Sequence, residues 1–262
     1  MKYKAYLFDL DGTLFRGTSV IPGAPEVLAE LRRRGALVRF LTNNSSQTRA
    51  QFAAKLQGMG FEAHEEEAVG SGYGTAKLLA KEGVRSVFLV GEPGLVQTFR
   101  EAGIAATNAP ANGIVTPNAP DDVDAVVVGI CRHFDYPLLN AAMQRIRRGA
   151  RFVATNPDTT YPMEGDTLVP GAGSLVAAVA ACSEQEPLVV GKPKPYLVEM
   201  VLGETGLRPE EALVVGDRLD TDIECGKAAG CPTFLVLTGV TKTAPEGQWS
   251  GESLEELLSR PS

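Results

Sequence analysis

Short apolar runs of strand length alternate with longer amphipathic segments along almost the whole chain. That alternation predicts an α/β fold built on a mostly parallel sheet. Strands are expected at Ala5–Asp9, Leu37–Thr42, Ala212–Gly216 and Thr233–Leu237, with a shorter one near Ala68. Helices are expected at Pro25–Arg34, Thr48–Gln57, Pro195–Gly203, Asp220–Ala229 and Ser253–Leu258. Gly35, Gly58, Gly60 and Gly206 read as stops, and Pro22 and Pro209 as openings.

The middle of the chain repeats the alternation with its own set. Strands are predicted at Val87–Val90, Ile114–Thr116, Ala125–Ile130 and Phe152–Ala154, and helices at Leu95–Ala102, Pro137–Arg147 and Leu175–Cys182. Between about Glu82 and Glu186 no polar motif resembles those on either side. Residues 82–186 therefore read as an inserted second domain, with 1–81 and 187–262 forming the core.

Composition narrows the function. At 262 residues the chain is long for one average domain and short for two, which suits a core with one insertion. A net charge of −7 argues against a general binder of nucleic acid or anionic membranes, which needs concentrated Lys and Arg. The one basic run, Arg32-Arg33-Arg34, falls in a last helical turn, where cations complement the helix dipole. Four cysteines (Cys131, Cys182, Cys225, Cys231) form no CxxC pair, so neither zinc nor a disulfide framework is expected. The opening MKYKAYLFDLDG does not read as a signal peptide, no apolar run approaches a membrane span, and a reducing cytoplasm is the expected location.

Four polar motifs each follow an apolar strand. Asp9-Leu10-Asp11-Gly12-Thr13-Leu14 reads either as an Asp-Gly turn or as a carboxylate and a carbonyl converging on a cation. Leu41-Thr42-Asn43-Asn44-Ser45-Ser46 reads as N-capping by Ser45 or Ser46, or as an anion-binding surface at a helix start. Gly191-Lys192-Pro193-Lys194-Pro195 is an exposed loop or a fixed positive charge. Gly216-Asp217-Arg218-Leu219-Asp220-Thr221-Asp222-Ile223 offers three carboxylates. First-turn helix chemistry accounts for Asp220 and in part for Asp222, but not for Asp217, which directly ends its strand. Together the four supply hard oxygen ligands for Mg²⁺, a hydroxyl and a lysine for phosphate oxygens, and a spare carboxylate for proton transfer. That set is the equipment of phosphoryl transfer.

The order DLDGTL, TNN, GKPKP, GDRLDTDI resembles the haloacid dehalogenase superfamily, in its NagD-like phosphatase branch with the p-nitrophenyl, nucleotide, phosphoglycolate and pyridoxal phosphatases. The resemblance implies a Rossmann-like parallel-sheet core with an inserted α/β cap of the C2 type. It implies Asp9 as nucleophile and Asp11 as general acid and base, with the Asp11 carbonyl also reaching the metal. Thr42 and Lys192 would hold the phosphoryl oxygens with Asn43 beside them. Asp217 would ligate Mg²⁺ together with Asp9, and Asp222 would orient metal-bound water. The GKP match favours Lys192 over Lys194. Thr155–Pro162 resembles the cap loop that faces the leaving group, with Asp158 and Tyr161 as specificity residues; a packed strand-edge aromatic is the other reading of Tyr161. The substrate class is a small phosphorylated metabolite: a nucleotide monophosphate, phosphoglycolate or a sugar phosphate. Members of the family often dimerise through the cap.

Other readings compete with this one. Gly70-Ser71-Gly72-Tyr73-Gly74, with Glu92 after the next apolar strand, resembles a dinucleotide-binding turn, although its third glycine comes one place early and Glu65-Glu66-Glu67 precedes it; a hinge into the cap is the plainer reading. Pro170–Ser174 reads as a turn into a helix, with a phosphate cradle as the lesser alternative. A phosphomutase or phosphotransferase, a halide-removing hydrolase and a non-catalytic phosphate-binding module are the alternative functions. His64 and His133 lie outside every motif, leaving no residues for phosphohistidine or Ser-His chemistry.

Overall fold

The computed structural model describes residues 2–162 and 167–259. The chain divides into two compact units. One comprises Met1–Thr42, Arg49–Val69 and Lys192–Ser262, and the other Asn43–Thr48 and Gly70–Gly191. The second unit extends beyond the 82–186 stretch at both ends and takes in the six-residue piece after Thr42.

The first unit is built on a six-stranded sheet in the order Ser250–Gly251, Thr233–Val236, Ala212–Gly216, Ala5–Asp9, Leu37–Thr42, Ala68–Gly70. Ala5–Asp9 lies at its centre, parallel to Ala212–Gly216 on one side and Leu37–Thr42 on the other. The chain first builds outward on one side of Ala5–Asp9 and later on the other, so a topological switch point falls beside this strand. Ligands of open α/β sheets bind at the carboxyl ends of strands at such a point. Both faces of the sheet are covered: Leu7 and Phe8 are fully buried, as are Val215, Phe234 and Leu235. Each such side chain contributes about 1.5–3 kcal/mol on burial, which holds the strand ends in register.

The helix Ala24–Arg33 begins with proline in its first turn and ends at Gly35, whose φ of 85° suits glycine alone among common residues. Arg32 of the basic run forms a two-pronged pair with Glu67 at 2.6 and 2.7 Å. The last helix is shorter than expected, Glu256–Ser259. A small hairpin, Phe15–Arg16 with Ser19–Val20, follows the first motif and was not predicted, because two-residue strands leave no periodicity to read.

The second unit carries a five-stranded sheet ordered Leu188–Val189, Arg151–Ala154, Ala125–Val128, Ser86–Val90, Ala105–Ala106, with every pair parallel. Ala125–Val128 and Val87–Val90 are wholly buried, which is why they read as unbroken apolar runs. Ile114–Thr116 is not a strand. Beyond Ala105–Ala106 the edge of Ser86–Val90 is met by Asn108: its side-chain amide donates to the Leu89 carbonyl (2.8 Å) and accepts from the Leu89 N–H (2.9 Å). A side chain thus continues the ladder that Ala105–Ala106 begins.

Of two further sequence expectations, one changes and one holds. Gly72 and Gly74 sit inside the helix Ser71–Lys81 and form no turn. A Cβ on Gly72 would lie 2.9 Å from Leu95 Cδ1, so this glycine serves close packing of the helices Ser71–Lys81 and Pro93–Glu101. Pro170 ends a strand, Leu168–Pro170, and the helix Ala172–Ser183 starts directly after Gly171, as a turn into a helix requires.

Candidate active site

Three of the four motifs meet in the first unit. Asp9 ends the central strand, and Asp217 directly follows the neighbouring strand Ala212–Gly216. Lys192 begins the chain's return from the second unit. Its Nζ lies 2.5 Å from Asp9 Oδ1 and 2.6 Å from Asp222 Oδ1, with the Leu41 carbonyl at 3.5 Å. Thr42, the next residue, is buried at the end of its strand. Lys194 is exposed, so the structure separates the two lysines clearly.

The three carboxylates Asp9, Asp217 and Asp222 each present an oxygen within 4.8 Å of the others. Asp222 is committed: beyond Lys192, its Oδ2 accepts from the Arg218 N–H at 3.1 Å. It lies in a wide turn, Leu219–Ile223, that leads into the short helix Glu224–Ala228. Asp220, in the same turn, points outward and pairs with Arg218 at 2.8 Å. First-turn chemistry therefore explains Asp220, while Asp222 belongs to the buried cluster.

Asp217 is held from a strand end that the sequence motifs did not include. After Thr233–Val236 the chain reaches Val240, whose N–H donates to Asp217 Oδ2 at 2.5 Å. Thr238 Oγ1 donates to the Gly12 carbonyl at 2.7 Å and joins this loop to the first motif. Glycines make the close approach possible. A Cβ on Gly239 would lie 1.8 Å from Asp217 Oδ2, and one on Gly12, whose φ is 89°, would lie 2.5 Å from it. The signal available in the sequence was the Thr-Gly pair that follows the strand, one more polar strand end in a chain whose strand ends carry the motifs.

The electrostatics follow from crowding. Burial pushes the Asp9 carboxyl well above the usual carboxylate range, with Asp222 adding to the rise and Lys192 opposing it. Asp217 is pushed up to about 7 by burial and by Asp222, against the Val240 N–H and Lys192. Burial opposes the charge on Lys192, but Asp222 and Asp9 outweigh it and hold the ammonium firmly protonated. Asp11 stays exposed, yet the protein around it raises its carboxyl, with Lys55 and Lys192 pulling the other way.

The remaining sequence candidates belong to the second unit. Asn43 donates to Asp158 Oδ2 at 3.0 Å, and Asn156 Nδ2 donates to the Asn43 carbonyl at 2.7 Å. Tyr161 lies on the two-stranded hairpin Thr160–Pro162 with Leu168–Pro170, and its hydroxyl is 3.4 Å from an Arg132 nitrogen. Neither Ser45 nor Ser46 caps the next helix, which begins at Arg49. Ser45 Oγ bonds Thr155 (3.2 Å) and the Ile130 N–H (3.4 Å), and Ser46 Oγ bonds Asn44 (2.7 Å). Glu92, the acid of the dinucleotide-like pattern, accepts the Arg132 N–H at 2.6 Å.

Buried acids and one lysine thus gather at the switch point of a parallel sheet, and comparison with known proteins says which family the chain belongs to. A family model for haloacid dehalogenase-like hydrolases matches residues 6–105, and one described as HAD-hydrolase-like matches residues 189–255. Glycerol-3-phosphate phosphatase of Homo sapiens is 38% identical, over 90% of this chain and 79% of the relative. A 5′-nucleotidase of Bacillus subtilis (strain 168) is also 38% identical, over 92% and 89%. Among solved structures, 4-nitrophenylphosphatase from Thermotoga maritima superposes with a TM-score of 0.87 at 33% identity, covering 99% and 97%. Glycerol phosphate phosphatase from Mycobacterium tuberculosis in complex with magnesium gives 0.86 at 36%, covering 98% and 77%. The chain belongs to the haloacid dehalogenase-like hydrolases, in the NagD-like branch with the p-nitrophenyl phosphatases.

The donor set suits a hard divalent cation. Asp217 Oδ1 is buried and has no hydrogen-bond partner among the described residues. An unpaired buried carboxylate oxygen is costly, and an oxygen-seeking cation relieves that cost. Among the described residues no helix is long and apolar enough to cross a membrane.

Proposed function

We propose that the chain hydrolyses small phosphate monoesters by way of a phosphoaspartate on Asp9. The observation that carries this reading is the junction of Asp9, Lys192 and Asp222 beside an Asp217 oxygen that lacks a partner. An Asp9 carboxylate oxygen attacks phosphorus while the bond to the leaving oxygen breaks, and Asp11 donates the proton that oxygen needs. Water then attacks the phosphoaspartate. Asp11, now a carboxylate, takes the water's proton, the bond to Asp9 breaks and orthophosphate leaves.

Thr42 and Lys192 hold the phosphoryl oxygens in both steps, with Asn43 assigned beside them. Lys192 is suited to this because the two acids beside it secure its charge against the cost of burial. Asp9 and Asp217, with the Asp11 carbonyl, would hold Mg²⁺, and Asp222 would orient water on it. The bound cation supplies charge neutralisation between the Asp9 carboxylate and the phosphate dianion.

The second unit is read as a cap that selects among small phosphorylated metabolites through Asp158 and Tyr161. Named activities of the relatives, from glycerol 3-phosphate to 5′-nucleotides, fit a shared reaction with divergent selection. Four thiols with no disulfide between them fit a reducing cytoplasm.

The test is p-nitrophenyl phosphate turnover with and without Mg²⁺, alongside Asp9→Asn. Metal-dependent release is expected, falling about a thousandfold or more in the variant. Full activity of Asp9→Asn, or no turnover across a panel of small phosphates, would refute the reading.

A further inference from the structure

The turn after the strand Thr233–Val236 lies outside all four sequence motifs, yet it meets two of them. Leu237 still belongs to the sheet, its N–H donating to the Gly251 carbonyl at 2.9 Å. From there Thr238 Oγ1 donates to the Gly12 carbonyl at 2.7 Å, one residue after Asp11. The Val240 N–H donates to Asp217 Oδ2 at 2.5 Å, and the Thr241 N–H to the Asp217 carbonyl at 3.1 Å. All of these residues belong to the first unit.

Burial does little to hold this turn. Val240 is 58% exposed, and Thr238 and Gly239 are half-buried. With little apolar area to bury, the turn relies on its hydrogen bonds, and Thr238 supplies one that a substitution can remove. The Gly12 peptide it grips is fixed from the other side as well, because the Gly12 N–H donates to the Phe15 carbonyl at 2.7 Å.

The two oxygens of Asp217 are consequently unequal. Oδ2 carries the Val240 N–H and lies so close to the turn that Gly239 has no room for a Cβ. Oδ1 is buried and has no hydrogen-bond partner among the described residues. A carboxylate held in this way offers a cation a single oxygen. That suits the small octahedral shell of Mg²⁺, whereas Ca²⁺ collects about six to eight oxygens and often takes both from one carboxylate.

We propose that Thr238 is a positioning residue for the bound cation: by tying its turn to Gly12 it keeps the Val240 N–H on Asp217 Oδ2, so that Asp217 presents Oδ1 alone and the site favours Mg²⁺ over Ca²⁺. This role rests on the cation assigned to Asp217 under the phosphatase reading, and it states how that acid is aimed.

A cation that binds the folded chain raises its melting temperature, so melts against Mg²⁺ and Ca²⁺ concentration read both affinities without turnover. Thr238→Val should weaken Mg²⁺ binding about tenfold and Ca²⁺ binding much less, narrowing the preference between them. Thr238→Ser keeps the hydroxyl and should stay near the wild type. Thr238→Ala removes the same hydroxyl with less bulk and should match Thr238→Val, which separates the lost bond from a misfit. Unchanged Mg²⁺ affinity in Thr238→Val and Thr238→Ala, equal losses for the two cations, or a Thr238→Ser as weak as Thr238→Val would overturn the proposal. Should that happen while the wild type hydrolyses phosphate monoesters, the phosphatase reading would stand without it. A wild type stabilised by Mg²⁺ that turned over none of the panel would refute the phosphatase reading alone.

Discussion

The two units use the same device, a parallel sheet with apolar strands and polar carboxyl ends, but they treat charge in opposite ways. In the first, Asp9, Asp217 and Asp222 gather with oxygens within 4.8 Å of one another, and Lys192, paired to Asp9 and Asp222, is all but excluded from solvent. In the second, Arg132 and Tyr161 stand partly in solvent, and the side chains of Asn156 and Glu92 bond main-chain groups of Asn43 and Arg132. Buried charges interact strongly and tolerate little change, because each loss leaves a partner uncompensated in a poorly polarisable surround. Exposed donors are weaker and more easily exchanged. Under the function proposed above, a chain organised this way would keep one reaction constant while its selectivity drifts, in keeping with the different activities named for its relatives.

The contrast can be broken most forcefully at Lys192. Lys192→Met removes the cation bonded to both Asp9 and Asp222, and should cost about 3–5 kcal/mol of stability in urea melts run without divalent metal. The corresponding change in the second unit, Arg132→Met, should stay within about 1 kcal/mol, as expected for an exposed pair. Equal losses at the two sites would end the distinction between them.

A smaller effect is expected where backbone meets carboxylate. Gly239→Ala places a methyl against Asp217 Oδ2 and should displace either the loop or the acid, at about 1–3 kcal/mol. Its diagnostic reading is a raised Mg²⁺ requirement in p-nitrophenyl phosphate turnover, since Asp217 is the acid assigned to the cation. Gly203, where an added Cβ meets nothing within 4 Å, is the control, and Gly203→Ala should leave that requirement unchanged.

The smallest effect concerns the thiols. Burial pushes Cys131 and Cys231 up to about 11 and Cys225 up to about 12. Thiolate is the reactive form, so alkylation of these three should be slow at pH 8 and quicken as pH rises. Cys182, half-buried, should be modified first, as peptide mapping would establish. Rapid labelling of Cys225 at pH 8 would mean that the elements behind Lys192 open far more readily than their packing implies.

Much of this molecule was legible before any coordinates. The strands Ala5–Asp9, Leu37–Thr42 and Ala212–Gly216 were predicted with their observed limits, because strands buried on both faces leave continuous apolar runs. The family motifs pointed to Asp9, Lys192, Asp217 and Asp222 because chemistry at strand ends needs specific residue types at specific offsets. The hairpin after Thr13, the two-residue strand Ala105–Ala106 and the wide turn holding Asp222 left no pattern, being shorter than any hydrophobic period.

Local sequence favoured Ser45 or Ser46 as a cap and allowed a dinucleotide-binding turn at Gly70–Gly74 beside the plainer hinge reading. Tertiary packing overruled both, tying Ser45 to Thr155 and placing Gly72 against Leu95. The Val240 N–H on Asp217 and the Glu92 anchor beneath Arg132 join residues far apart in the chain, 23 and 40 positions respectively. Sequence alone determined which chemical groups the strand ends would carry, since periodicity and motif spacing are local properties. Which of those groups would share a buried charge, and which would be left facing solvent, depended on where the sheet brought distant strand ends together.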